Sequence, residues 1–113
     1  MKLPGAERAV IDSAKIRDYL LSPTHPVGRF KAVFFVGLGY ARHDWERLEA
    51  DIRELALAQD AIPAEASEHG QKYEIRCRLT GPSGRQVEFV AVWIILAGED
   101  FPRLVTAIPG TKA

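Results

Sequence analysis

The chain contains little of what builds covalent or metal-linked scaffolds, because its 113 residues include a single cysteine, Cys77. One cysteine cannot form an internal disulfide, so the sequence predicts a protein of the reducing cytoplasm. The motifs CxxC, HExxH and GxxxxGK[ST] do not occur, nor does GxGxxG at a strand-to-helix junction. We therefore expect neither a bound metal ion nor a nucleotide cofactor.

Long apolar runs and an excess of either charge are also lacking. No stretch reaches the roughly 18–20 apolar residues that a membrane span needs, and the N-terminus MKLPGAERAV has no apolar centre of a signal peptide. Fifteen basic residues balance fifteen acidic ones, for a net charge of zero. We expect no membrane association. Binding of nucleic acid by bulk charge is disfavoured too, although a local basic patch is compatible with this balance.

What remains is an ordinary globular composition, with 47% hydrophobic and 27% charged residues. This composition excludes wholesale disorder, and the length suits one hydrophobic core. The sequence predicts a single domain over residues 1–113, with frayed ends at 1–7 and 110–113.

Helical periodicity occupies the first half of the chain. A first helix follows an N-cap at Asp12 or Ser13 and ends before the proline at position 23. A second helix is expected over residues 25–39, and because apolar residues surround most of it, we predict the central buried helix. A third helix begins after a cap at Asp44 and carries charged i,i+4 pairs on its outer face.

The second half of the chain reads as strands. Residues 60–71 have no periodicity and are predicted to be a long loop. Residues 73–79 alternate between apolar and polar, residues 87–96 are apolar on both faces as in a central strand, and a third strand follows at 103–108. The β-branched piece at 8–11 is a candidate fourth strand at an edge. The sequence thus predicts an α+β domain in which three N-terminal helices pack on a three- to four-stranded antiparallel meander.

The stretch HPVGRFKA places a histidine, a glycine and a lysine at the start of the apolar second helix. The dipole at a helix N-terminus disfavours a protonated imidazole, so His25 is a candidate proton acceptor. Gly28 precedes Lys31 by one turn, and its missing side chain would let a phosphate approach both the lysine and the first helical amides. The plainer alternatives stay open, namely that His25 packs at the helix start and that Lys31 snorkels over apolar surface.

The predicted sheet offers further candidates. Arg76 and Arg78 project from the polar face of the first long strand, where they could contact a substrate. Arg103 and Thr106 are three residues apart on the last strand, so only one of them can join a given site unless a β-bulge intervenes. Tyr73 begins its strand after the long loop, where its phenol could reach a cleft; as a core residue it would instead only keep its hydroxyl paired.

Four segments together resemble a small, uncharacterised bacterial domain family: HPVGRFKAVFFVGLGY, GQKYEIRCRLTGPSGR, VWII and PRLVTAIPG. Members of that family are free-standing proteins beside small partner genes, or toxin domains at the C-terminal tips of large secreted exoproteins. The resemblance extends from Leu3 to about Pro109 and implies a small antitoxin or immunity protein as the partner. Phe30, Cys77 and Ile108 depart from the family's pattern.

Helices followed by an antiparallel meander are similar, more distantly, to the barnase, colicin and RelE-type ribonuclease toxins. That similarity implies metal-independent RNA cleavage, in which a base deprotonates the ribose 2′-hydroxyl and the oxygen attacks the adjacent phosphate. It would make His25 the general base or acid, with Lys31 and Arg103 holding the phosphate. Thr106 and Tyr73 would support them by hydrogen bonding. The residues expected in the site are His25, Lys31, Tyr73, Arg103 and Thr106 as catalytic groups, and Gly28, Arg76 and Arg78 as substrate contacts.

A second hypothesis is a non-catalytic protein-binding module, such as a degenerate toxin or one half of a two-gene toxin–antitoxin-like pair. This hypothesis predicts an exposed apolar patch or an open strand edge that invites a partner. The ribonuclease hypothesis instead requires His25, Lys31 and at least one strand arginine to lie within the reach of one substrate.

Overall fold

The computed structural model describes residues 1–26 and 28–110. Helices precede strands along the chain, which confirms the predicted α+β order. The helices are α1 (Ser13–Lys15), continued by the π-helical residues Ile16–Leu20, α2 (Arg29–Gly37) and α3 (Trp45–Ala58), with short 3₁₀ turns at Ala6–Arg8 and Arg42–Asp44. The strands are β1 (Ile62–Ser67), β2 (Gly70–Thr80), β3 (Gln86–Leu96) and β4 (Arg103–Pro109).

The four strands form one antiparallel meander in the order β1-β2-β3-β4. As its apolar residues predicted, β3 lies inside the sheet, between β2 and β4. One face of the sheet carries Phe89 and Trp93, which join a single core with Ile16 of the π-helical turn, Phe35 of α2 and Ile52 of α3. The helices therefore cover this face and position their side chains against it.

The segment 60–71, predicted to be a loop, instead contains β1. Ile62 pairs with Glu74 and Ser67 with Gly70, so β1 and β2 form a hairpin. All six residues of β1 are exposed. A strand without a buried face leaves no alternation of apolar and polar residues, so the period of the sequence could not reveal it.

The expected fraying of residues 1–7 is not found. Leu3 and Ala6 are buried in the core, and Lys2 forms an isolated bridge with Asp60 after the end of α3. The N-terminal segment is held in place because its apolar side chains pack into the core.

The candidate fourth strand at 8–11 is reduced to a single parallel bridge between Val10 and Arg103, at the outer edge of β4. At the other end of the chain, the Gly110 N–H donates to the Glu88 carbonyl at 2.9 Å. Residues 111–113, also expected to be frayed, lie outside the described residues.

The caps of the helices agree with the sequence in one case of two. The Asp12 carboxylate accepts a hydrogen bond from the Ala14 N–H at 3.0 Å, which confirms the N-cap of α1. Asp44 stands at the N-cap position of α3 but makes no side-chain capping bond.

Within the described residues, no helix has the length and apolar character that crossing a bilayer requires.

Burial of α2 differs most from the prediction. The helix begins at Arg29, later than position 25, and buries Ala32 and Phe35. Three apolar side chains on its other side are exposed: Phe30 (69%), Val33 (76%) and Val36 (54%). The prediction of a central buried helix is therefore wrong. A helix that is apolar on all sides favours burial of its whole surface. The apolar pattern does not tell whether residues of the same chain or another molecule cover each side.

Candidate functional site

A cleft of about 610 Å³ lies between the first helix, the start of α2 and the edge strand β4. Its polar lining includes Lys15, Tyr19, His25, Lys31 and Thr106, together with the acidic residues Asp12 and Asp18. Three of the predicted catalytic residues, His25, Lys31 and Thr106, therefore lie together in one cleft. Its volume is typical of a cleft that binds a small molecule or one unit of a polymer.

Tyr19 and Lys31 make the closest polar contact in the cleft, where the Lys31 ammonium donates a hydrogen bond to the Tyr19 hydroxyl. The same Nζ lies 4.7 Å from the centroid of the Tyr19 ring. The hydrogen bond from Lys31 lowers the pKa of Tyr19 below its ordinary value, and this effect exceeds the opposing effect of burial. Lys31 is thus directed at a phenol whose proton is easier to remove than that of an ordinary tyrosine.

A π-helical turn carries Tyr19 to this position. The Leu21 N–H donates to the Ile16 carbonyl at 3.0 Å, five residues earlier in the chain. Ile16 and Leu20 are fully buried and hold the turn against the core. Short π-helical insertions of this kind are frequent at functional sites, because they redirect a side chain that a regular helix would aim elsewhere.

His25 packs edge-on against Tyr19, with ring centroids 4.9 Å apart and an interplanar angle of 89°. Its Nδ1 accepts a hydrogen bond from the Gly28 N–H at 2.9 Å. A neutral imidazole that accepts at Nδ1 carries its proton on Nε2. With Nδ1 engaged in this way, His25 is less suited to the proton abstraction predicted from the sequence.

Gly28 does not leave room for an anion. A Cβ at this position would lie 2.0 Å from the carbonyl oxygen of Tyr19 and 2.7 Å from its carbonyl carbon. The Gly28 N–H is also engaged, because it donates to His25. The predicted approach of a phosphate beside this glycine is therefore blocked. Gly28 instead allows the π-helical turn and the start of α2 to touch, and so holds Tyr19 and His25 together.

A β-bulge at Val105 shapes the β4 side of the cleft. The pairing with β3 shifts there, so Val105 has no partner on the neighbouring strand. The Lys15 ammonium donates to the Val105 carbonyl at 2.9 Å. The bulge also brings Arg103 and Thr106 to the same face of the sheet, since they oppose residues two apart on β3. The bulge therefore meets the condition, stated from the sequence, under which Arg103 and Thr106 can share one face.

Thr106 contributes a hydroxyl that is short of partners. Its Oγ1 is buried and makes no hydrogen bond of good geometry within the described residues. The hydroxyl nevertheless lies near enough to the Tyr19 phenol to help lower the pKa of that group. Thr106 therefore supports the Tyr19 phenol, while its buried oxygen offers no exposed surface to a ligand.

Arg103 lies beside the cleft rather than in it. Its guanidinium makes two hydrogen bonds of 2.9 Å to the Glu99 carboxylate, and it lines an adjoining hollow that also includes Lys15. Tyr73 is farther away, on the core face of β2 opposite Trp93. The structure therefore does not bring Tyr73 into the cleft, and it gives Arg103 a carboxylate partner.

Arg76 and Arg78 lie on the outer face of the sheet. Arg76 donates to the Glu74 carboxylate at 2.9 Å, and Arg78 donates to the Glu88 carboxylate at 3.2 Å. Neither arginine lines the cleft. The sheet alternation was read correctly, but the polar face that it identified is the face opposite to the helices.

Asp12 and Asp18 were not predicted as site residues, and neither were Tyr19 and Lys15, whose chemistry bears on the cleft. Tyr19 and Lys15 belong to the first helix, where the apolar spacing indicated packing against the core. The available signal was the chemistry of Tyr19, since a tyrosine on a buried helix face needs a partner for its hydroxyl. No sequence period could name Lys31 as that partner, because Lys31 comes from another helix.

Metal or thiol chemistry has little support in the described part of the chain. No group of three or more His, Cys, Asp or Glu side chains is placed there to hold a metal ion. Cys77 is half-buried, and burial raises the pKa of its thiol, so it is not an activated nucleophile.

Comparisons with known proteins agree with this picture of the fold. A family model described as "Domain of unknown function (DUF6883)" matches residues 2–111. A solved structure, the contact-dependent growth inhibition toxin–immunity protein complex from Klebsiella pneumoniae 342, contains a chain with the same fold, with a TM-score of 0.68 at 19% sequence identity. The alignment covers 89% of this chain and 99% of that chain. A comparison with curated proteins gave no significant match.

Proposed function

This chain belongs to the DUF6883 family, and we propose that it is a toxin domain that cleaves RNA without a metal ion in the cleft of Tyr19, His25 and Lys31. One observation supports the proposal most: a phenol of lowered pKa, its lysine and a histidine converge in one cleft of the fold. The fold shared with a chain of a toxin–immunity protein complex agrees with a toxin-related role.

RNA suits this set of groups because it carries its own nucleophile. A base has only to remove the proton of the ribose 2′-hydroxyl, and cations then stabilise the charge that develops on the phosphate. Tyr19 is the group in the cleft whose pKa is shifted towards use as a base. This assignment replaces the earlier one of His25, whose Nδ1 is already an acceptor of the Gly28 N–H.

In the first step, the Tyr19 phenolate takes the proton of the 2′-hydroxyl and the 2′-oxygen forms a bond to phosphorus. The Lys31 ammonium, which hydrogen-bonds the phenol oxygen, stabilises the phenolate before the transfer. His25 lines the cleft beside the Tyr19 ring, and Thr106 supports the Tyr19 hydroxyl. Lys15 adds a positive charge at the β4 side of the cleft.

In the second step, the bond between phosphorus and the 5′-oxygen breaks, and the leaving oxygen takes a proton from the Lys31 ammonium. The products are a 2′,3′-cyclic phosphate and a 5′-hydroxyl. Tyr19 then returns its proton to Lys31 through their direct hydrogen bond, which restores both groups. These proton transfers close the cycle without a metal ion or an external oxidant.

The experiment is cleavage of end-labelled RNA in excess EDTA by the wild type and by two cleft variants, Tyr19→Phe and Lys31→Met. Each variant is expected to lower the rate by about 100-fold or more, the usual contribution of a positioned acid or base. Tyr73→Phe and Lys72→Met are the matched controls, since both positions lie on β2 outside the cleft, and they are expected to cleave as the wild type does.

A DNA oligonucleotide of the same sequence should remain intact, because it has no 2′-hydroxyl. Cleavage of that DNA would contradict the internal attack. Absence of RNA cleavage by the wild type at every concentration, or equal cleavage by wild type and Tyr19→Phe, would overturn the catalytic assignment.

A second candidate function is a protein-binding module, as one member of a pair of partner proteins. The observation that favours it is the exposed apolar side of α2, which is larger than a scatter of single residues. This candidate predicts partner binding in the absence of any RNA cleavage.

A further inference from the structure

An apolar stripe runs along the exposed side of α2, consisting of Phe30, Val33 and Val36 and called here the α2 stripe. These three side chains are 69, 76 and 54% exposed. Beside the stripe lies a groove of about 590 Å³, floored by Leu21 and Ala32. Contiguous apolar surface next to an apolar groove is typical of a site that another molecule covers.

An arginine stands at each end of the α2 stripe. No acidic residue occurs in α2 itself. At its first position, the Arg29 guanidinium lies 4.7 Å from the centre of the Phe30 ring. At its far end, the Arg85 guanidinium lies 3.9 Å from where a Cβ of Gly37 would stand. Within residues 1–26 and 28–110, neither Arg29 nor Arg85 forms an ion pair with a carboxylate, whereas Arg42 near the groove is paired with Asp18.

We propose that the α2 stripe binds an amphipathic helix of a partner protein, whose apolar face covers the stripe and whose carboxylates pair with Arg29 and Arg85. The nine residues of α2 measure roughly 13 Å along the axis. The two carboxylates of the partner therefore belong about two helical turns apart, on either side of its apolar residues. The inference deepens the second candidate function and does not depend on the chemistry of the cleft.

A second copy of this chain fits the surface less well than an acidic partner. Both ends of the stripe are cationic, so pairing two copies of α2 in either direction would bring an arginine against an arginine. A nucleic acid also fits less well, because Phe30 is the one stacking face of the stripe, whereas Val33 and Val36 offer neither a stacking face nor a donor to phosphate. Charge complementarity and the aliphatic surface together select an acidic, amphipathic protein segment.

The test uses a fluorescently labelled helical peptide of about 18 residues, long enough to form a helix in isolation. Leucines form its apolar face, and two glutamates flank them two turns apart. A twin peptide carries lysines in place of the glutamates. The glutamate peptide is expected to bind the wild-type protein at least about tenfold more tightly than the lysine peptide, as read by fluorescence anisotropy.

Val33→Asp should weaken the binding of the glutamate peptide by about tenfold or more, because the substitution places a negative charge in the stripe that repels the flanking glutamates. The matched control is Ile62→Asp, another exposed apolar residue but on β1, and it should bind as the wild type does. No binding up to about 1 mM peptide, or equal binding by Val33→Asp and wild type, overturns the proposal.

The same variants also test two other occupants of the stripe, a second copy of this chain and a nucleic acid. A wild-type dimer in sedimentation that Val33→Asp converts to a monomer would assign the stripe to a second copy, and RNA binding lost in Val33→Asp would assign it to nucleic acid. Either result overturns the proposal. RNA cleavage is measured on the same preparations, so a failure of the stripe and a failure of the cleft are seen separately.

Discussion

The carbonyl oxygen of Tyr19 passes so close to Gly28 that a Cβ at position 28 would lie 2.0 Å from it. Backbone on both sides of this contact leaves little freedom to relax. We expect Gly28→Ala to lower the free energy of unfolding by about 1–3 kcal/mol, the usual cost of overpacking a tight contact. Chemical denaturation measures this change as a lower midpoint with an unchanged slope.

Gly37→Ala is the control for this prediction. Gly28 precedes α2 and Gly37 ends it, but a Cβ at position 37 would meet only the Arg85 side chain, at 3.9 Å. Alanine favours a helix over glycine by up to about 1 kcal/mol, so this variant is expected to be neutral or more stable than the wild type. Equal destabilisation by both substitutions would show that the contact with Tyr19 is not what constrains Gly28.

The second prediction concerns the ionisation of Tyr19. Because the Lys31 ammonium favours the phenolate, Tyr19 is expected to ionise below the ordinary tyrosine pKa of 10.0. Lys31→Met should return this pKa upward. Phenolate absorbance in the near ultraviolet measures the titration, and subtraction of the Tyr19→Phe curve assigns it. Identical curves for wild type and Lys31→Met would contradict the contact.

The sign of the linked stability follows from the same shift. A group whose pKa is lowered by folding stabilises the folded state above its unfolded pKa, and this contribution is lost as the pH falls through the folded pKa. The ion pair of Tyr19 phenolate and Lys31 therefore adds stability only at alkaline pH. At neutral pH, Tyr19→Phe should change the free energy of unfolding little through this route.

The third prediction is the pH dependence of RNA cleavage. If the Tyr19 phenolate is the base, the rate should rise with pH while the phenol ionises. Initial rates on a short labelled RNA in EDTA, corrected for alkaline hydrolysis, measure the profile. A rate that falls with pH across the same interval would assign the base to another group.

The fourth prediction concerns Tyr40, whose hydroxyl donates to the Asp51 carboxylate at 2.6 Å. Burial and the charge of Asp51 raise the pKa of Tyr40 far above its ordinary value, so it donates throughout the accessible pH range. A hydrogen bond to a charged group is worth about 1.5–3 kcal/mol, and Tyr40→Phe should lose a similar amount of stability. Thermal or chemical unfolding measures the loss.

Tyr73→Phe serves as the reference for Tyr40→Phe. Tyr73 is half-buried, and its hydroxyl makes no hydrogen bond to the described side chains or backbone. Its removal is expected to change the free energy of unfolding by less than about 0.5 kcal/mol. A loss equal to that of Tyr40→Phe would contradict the role of the Asp51 contact.

The elements that the sequence revealed were those with a strong period. Residues 73–79 and 87–96 became β2 and β3 because each has a defined pattern of burial across the sheet. The charged outer face of the third helix likewise marked α3, whose Leu48 and Ile52 are buried. Strand β1 could not be predicted, because all its residues are exposed and its sequence therefore has no period. Its strand conformation depends on pairing with β2.

The sequence by itself determined the α+β order, the central place of β3 and the spacing of His25 and Lys31 at the start of one helix. Only the tertiary structure decided what these residues face. Tyr19 comes from a different helix, and a π-helical turn and a contact with Gly28 direct it to Lys31 and His25. Spacing along a chain fixes neighbours on one element, whereas contacts between elements depend on how their buried faces fit together.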